Sequence, residues 1–214
     1  MKNSGCYWCG VKATTSDHVP PLNLFPKKQR DKNLATVPAC FEHNNRFSKL
    51  EERMRFYLQA ACNTPSAFEQ FDTVTMPSLE NPKAAGLAKR LLRDIRPPTA
   101  SSPPLVPINP SDHLLYFEKI TRGIYYLVRK RHSTGDFVGG FRQSFAATKS
   151  MLEFFSKLSP HFNGPNAREG KVTHPEIFRY RYILIESDGL ELFCVAMQFY
   201  QSMEAIGILK SAGE

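Results

Sequence analysis

Residues 34 to 61, LATVPACFEHNNRFSKLEERMRFYLQAA, change character halfway. The first half ends in Cys40-Phe-Glu-His43, two soft-metal ligand types separated by a tight turn, with Asn44 and Asn45 directly after them. From Phe47 the apolar residues Phe47, Leu50, Met54, Tyr57 or Leu58, and Ala61 recur at helical spacing, while Lys49, Glu51, Glu52, Arg53 and Arg55 fall between them. That periodicity predicts an amphipathic helix of about four turns, stopped by Pro65. A ligand pair at the foot of a helix asks for a second pair elsewhere.

Cys6-Tyr-Trp-Cys9 supplies it, about thirty residues upstream. Two such knuckles can close a tetrahedron, because each presents two ligands from one turn, and a Cys₃His set leaves no coordination position open. Cys6, Cys9, Cys40 and His43 therefore point to a structural zinc or a similar soft metal. A lone Cys-x-x-Cys could be a redox pair, a role the second knuckle makes less natural. The five cysteines are odd in number and three crowd the first forty residues, which argues against a disulfide framework. Cys62 and Cys194 stand in apolar stretches and read as small buried hydrophobes.

Between the knuckles lies TTSDHVPP, residues 14 to 21. Pro20 and Pro21 bias their neighbours toward extended backbone and remove two amide donors, so the segment is a stiff loop or a strand end carrying Asp17 and His18 side by side. Hydrolysis of a phosphodiester needs a base for water, a divalent cation, and a group that holds the base in place. A histidine near neutral pKa suits the first task. Aspartate and amide oxygens, here Asp17, Asn33, Asn44 and Asn45, suit a hard cation such as magnesium.

The 214 residues are 42% hydrophobic and 22% charged, ordinary for a globular chain that buries a core. No apolar run approaches the roughly 20 residues needed to cross a bilayer, and the N-terminus lacks a secretory signal's apolar core. A cytoplasmic location without membrane contact is expected. The formal charge is +8, which favours polyanionic partners. Residues 1 to 55 carry ten Lys and Arg against five acids, so the basic field surrounds the Asp17-His18 segment. Lys27, Lys28, Arg30, Lys32, Arg46 and Lys49 are the candidate phosphate contacts. Tyr7 and Trp8 read as core.

Farther on, Asn81 as cap, Pro82 at the first position and a stripe through Leu87, Leu91 and Ile95 predict a helix. Residues 96 to 112 are rich in Pro and Ser and read as an extended connector. A strong amphipathic helix follows, with Leu114, Phe117, Ile120, Ile124 and Leu127 on one face and Arg129, Lys130 and Arg131 in its last turn. A short helix around Lys149 to Leu158 precedes a β-rich end, in which Asp188-Gly189 marks a hairpin and AIGILK a further strand. The expected class is α+β, divided into a metal-clamped module at 1–64, a helical segment and connector at 65–110, and an α+β accessory region with a small antiparallel sheet at 111–214.

The run C-x-x-C … SDHVPP … KNLATVPAC-x-x-H-NN … S-K-x-E-E resembles the HNH (His-Asn-His) endonucleases of the ββα-metal fold, in the variety with a zinc-knuckle scaffold. The resemblance covers about residues 5 to 57. It implies metal-dependent hydrolysis of DNA phosphodiesters, leaving 5′-phosphate and 3′-hydroxyl ends. In that scheme His18 is the general base and Asp17 the acidic cation ligand. Asn33 fixes the loop and orients the base. Asn44, or Asn45 if the alignment slips by one, completes the site for one magnesium or manganese ion. The helix from 47 to 62 is the α of ββα. His43 stands where the scaffold usually has a fourth cysteine, and asparagine fills the motif's third position, which favours a hard ion. Two other classes stay open: a zinc-stabilised nucleic-acid-binding protein that does not cut, and a cytosolic zinc-containing protein-interaction module.

Overall fold

β1 (Thr15–His18) and β2 (Thr36–Ala39) pair antiparallel, with Asp17 opposite Val37 and His18 opposite Thr36. These coordinates come from a computed structural model, which describes residues 4–30, 33–82, 85–93, 109–141 and 149–212. β1 stops where Pro20 and Pro21 withdraw their amide donors; the Val19–Pro20 bond is cis. Pro38 is tolerated in β2 because a two-stranded sheet is all edge, and its carbonyl accepts the Tyr7 amide at 2.8 Å. That bond joins the first knuckle to the sheet.

β2 runs through Cys40 into α1 (Phe41–Arg46) and, after a break at Phe47, into α2 (Ser48–Ala61). The helix expected over 47–62 is α2; the short α1 before it was not foreseen. Cys40 caps α1, its sulfur accepting the His43 amide at 3.5 Å. Next come α3 (Pro65–Gln70), a π turn (Phe71–Thr75), α4 (Met76–Glu80) and α5 (Ala85–Arg93). Lys32 and residues 94–108, which hold Ile95 and most of the Pro-rich connector, lie outside the described residues.

α6 (Pro110–Arg129) starts at an Asn109 cap. After it come β3 (Asp136–Phe141), α7 (Lys149–Leu158), β4 (Arg168–Glu169), β5 (Phe178–Ser187), β6 (Leu190–Phe199) and β7 (Met203–Ala212). The strands form one antiparallel sheet ordered β3-β7-β6-β5-β4, with the β5–β6 hairpin turning at Asp188-Gly189, both at positive φ. The molecule is α+β, with this sheet and the small N-terminal one.

α6 packs on α2 and β2 along one side and on β3 and β7 along the other. One apolar cluster therefore takes in Tyr7, Phe47 and Met54, then Phe117 and Ile124 of α6, then Phe193 and Phe199 of the sheet. Residues from 1–64 and from 111–214 share this core. A helix wedged between two layers is buried over a wide arc, and the expected single stripe was misphased at its start: Leu114 is 46% exposed, whereas Lys119 is 1% exposed. Two glycines let α6 come close. A Cβ on Gly123 would lie 2.5 Å from a Val19 methyl, and one on Gly207 of β7 would lie 2.0 Å from the Thr121 hydroxyl. On the sheet's other face Phe155 and Phe162 pack on Ile183, Cys194 and Ile206. Among the described residues, no helix is long and apolar enough to cross a membrane.

Candidate metal centre and the His18 site

The first knuckle is a tight turn, in which the Gly10 amide donates to the Cys6 carbonyl at 2.9 Å and Gly10 takes φ +74°. The second is the first turn of α1. The Tyr7–Pro38 backbone bond and the β1–β2 ladder bring them face to face, so that the ligand atoms of Cys6, Cys9, Cys40 and His43 all lie within 4.8 Å of one another. Cys9 Sγ is 4.0 Å from Cys40 Sγ, and His43 Nδ1 is 3.1 Å from Cys40 Sγ and 4.0 Å from Cys6 Sγ. Zinc bonds of about 2.0–2.3 Å in a tetrahedron separate ligands by roughly 3.5 Å, so the cluster could hold a zinc ion.

Three thiols and an imidazole are the soft donor set zinc takes, and the protonation of Cys6 and His43 favours it. Burial pushes the Cys6 thiol up, but the backbone amides of Cys40, Cys9 and Trp8 overcome it and hold the thiol below its ordinary value. Burial, with Cys6 beside it, pushes Cys9 up to about 11. Burial keeps His43 low and hence neutral, the form that binds metal. Trp8 stacks on the His43 ring at 5.7 Å, and the Arg122 guanidinium lies over the indole at 5.1 Å from its centroid. Both knuckle aromatics serve packing, as the sequence suggested, with Tyr7 wholly buried.

His18 and Asp17 are neighbours on an extended strand, where successive side chains point to opposite faces. Their surroundings differ accordingly. His18 is half-buried at the end of β1, and burial, reinforced by the charges of Lys119 and Arg30 against the pull of Asp17, holds its imidazole below the usual range. Asp17 is 6% exposed. Lys119 of α6 reaches it at 3.1 Å to Oδ1 and 3.0 Å to Oδ2, and the Tyr7 hydroxyl donates to Oδ2 at 2.9 Å. The same ammonium pairs with Glu51 of α2 and lies 5.7 Å from the Phe47 ring. Burial raises the Glu51 carboxyl against the pull of Lys119, and burial with Asp17 beside it raises the Tyr7 phenol well above its ordinary value.

A carboxylate offers about four lone-pair sites, and three on Asp17 are taken. Lys119 and Tyr7 thus take the sides of Asp17 that face them, and a carboxylate only 6% exposed has little water beside it, whereas magnesium keeps several waters. Asn44 is half-buried on α1, which packs against β1. Asn45 is exposed and donates to the Phe41 carbonyl at 2.8 Å. Asn33 is exposed before β2, its carbonyl accepting the Thr173 hydroxyl at 3.3 Å. Of the basic candidates, Lys27, Arg46 and Lys49 are exposed, Lys28 is exposed but paired with Glu69, and half-buried Arg30 donates to the Phe25 carbonyl at 2.9 Å.

A cavity of about 400 Å³ lies elsewhere, on the C-terminal sheet beside Phe155 and Phe162. Arg179 and Arg181 of β5 line it together with Glu169 and Glu204, so its charges balance. Fold and site together define an α+β protein with a Cys₃His cluster suited to zinc. Comparison of the chain with protein-family models, curated proteins and solved structures returned no significant match.

Proposed function

We propose that the chain is an HNH-type phosphodiester hydrolase acting on nucleic acid, DNA in the first instance, with His18 as its general base. The observation that carries this reading is the position of His18: a half-buried imidazole at the end of β1, in a β-β-α unit pinned by four clustered metal ligands. Held low by burial, the ring is neutral at pH 7 and able to accept a proton from water. The hydroxide equivalent attacks phosphorus, the bond to the 3′-oxygen breaks, and that oxygen leaves as a hydroxyl after taking a proton from solvent. A magnesium or manganese ion, if bound, would supply charge for the leaving oxygen, and Asn44 would be an amide ligand to it. Lys27, Arg30, Arg46 and Lys49, with Lys28 and Lys32, supply the field that holds the backbone phosphates.

Nicking of supercoiled plasmid by the zinc-loaded chain with magnesium tests the reading. Activity lost in His18→Ala is expected; equal nicking by both proteins rejects it. The engagement of Asp17 by Lys119 favours a second reading, a zinc-stabilised nucleic-acid-binding module without turnover. Salt-sensitive binding with no His18-dependent nicking at any magnesium concentration would select it.

A further inference from the structure

We propose that Lys119 is the positioning residue of the His18 site, and that Asp17 is its seat instead of a cation ligand. This inference rests on the hydrolase reading and adds to it a requirement for the C-terminal half of the chain.

Three observations converge. Lys119 and Gly123 are four residues apart, so they share one face of α6. From that face Lys119 grips Asp17 through both carboxylate oxygens, while Gly123 lies against the Val19 side chain with no room for a Cβ. The two contacts flank His18 on either side along the chain and so hold the backbone that carries it. The charges also close on themselves: the Lys119 ammonium, with its side chain 2% exposed, sits between Asp17 and Glu51, and Tyr7 donates to the remaining side of Asp17. A tethered ammonium thus occupies the place a cation would take between those two acids. A buried charge keeps such a place only with its partners around it, and α6 brings it there from 102 positions farther along the chain.

The test uses the full, zinc-loaded chain and a labelled DNA duplex. Single-turnover cleavage and duplex affinity are measured for wild type, Lys119→Met, Lys119→Arg and Gly123→Ala. In parallel, binding of Mn²⁺ alone to wild type and Asp17→Asn is followed by electron paramagnetic resonance. Lys119→Met should slow cleavage by about tenfold or more with duplex affinity within about twofold, Lys119→Arg should recover part of the rate, and Gly123→Ala should slow cleavage with full zinc content. Mn²⁺ affinity should stay within about twofold in Asp17→Asn, since the ion does not use that carboxylate.

Wild-type rates in Lys119→Met overturn the positioning role. If Lys119→Met fails to retain zinc, wild-type rates in both Lys119→Arg and Gly123→Ala overturn it. Mn²⁺ binding weakened by about tenfold or more in Asp17→Asn overturns the seat and restores Asp17 as a cation ligand. Absence of His18-dependent cleavage in the wild type rejects the hydrolase reading alone; the Mn²⁺ comparison still decides the role of Asp17.

Discussion

At His113, protonation and folding oppose each other. Burial, only partly offset by Asp112, brings its imidazole down to about 4, whereas the unfolded chain titrates near 6.5. Between those values the unfolded state binds the extra proton, so His113 contributes stability that is complete above the upper value and lost as pH falls through the lower one. Urea denaturation from pH 7 to pH 4 should show a loss on the order of 3 kcal/mol from this residue. His113→Gln should flatten that part of the profile; an unchanged slope would assign it to the carboxylates alone. A second test concerns the approach of α6 to β7. Gly207→Ala should cost about 1–3 kcal/mol through its collision with Thr121, and Thr121→Ala in the same chain should recover much of it. The Cys₃His cluster was legible at this scale because each pair is written within four residues, Cys6 to Cys9 and Cys40 to His43. The Lys119 network was not. Its partners lie 102 and 68 positions away in Asp17 and Glu51, and a lysine between Phe117 and Ile120 reads locally as a solvated charge.

Among the elements, β1, β2 and α1 depend on the cluster that joins them. A two-stranded sheet is marginal by itself in water, and a closed zinc shell supplies folding free energy to whatever its ligands tie together. The purified chain should carry one zinc, measured by elemental analysis. Chelation should raise amide exchange in Thr15–His18 and Thr36–Ala39 by about tenfold or more, while β6, paired on both sides, keeps its protection. Equal protection with and without chelator would make the cluster incidental. The elements that sequence periodicity captured best, α2, α6, α7 and the β5–β6 hairpin, have long regular patterns or a clear turn signal. β3 was missed because DFVGGF carries two glycines where a strand pattern wants side chains. Gly139 is nonetheless required, since a Cβ there would meet the Ile206 carbonyl at 2.5 Å. The helical path from α3 to α4 was missed because Pro65 reads as a break, yet it stands at the start of α3, where the amide it lacks would have no intrahelical partner.

The whole molecule is bound together through α6 and through a buried polar chain that runs from one end of the sequence to the other. Thr75 donates to Gln59 at 2.5 Å, Gln59 to Tyr200 at 3.0 Å, and Tyr200 to the Leu24 carbonyl at 2.9 Å. Gln59, Thr75 and Tyr200 are each 2% exposed or less, so losing one member leaves the others unsatisfied in a low-dielectric interior. Tyr200 closes that chain from the end of β6, while Lys119 closes the ion-pair cluster from α6, and both belong to the C-terminal half. Residues 1–64 therefore contain the Cys₃His cluster and His18 but lack Lys119, which pairs with Asp17 and Glu51, and Thr75 and Tyr200, which pair with Gln59. The zinc-loaded fragment 1–64 should bind metal yet melt without a sharp transition, whereas the full chain should unfold in one cooperative step seen alike by far-ultraviolet circular dichroism and by tryptophan fluorescence from Trp8. A fragment that melts as sharply as the full chain, with its β1 and β2 amides equally protected, would show that the N-terminal unit is self-sufficient.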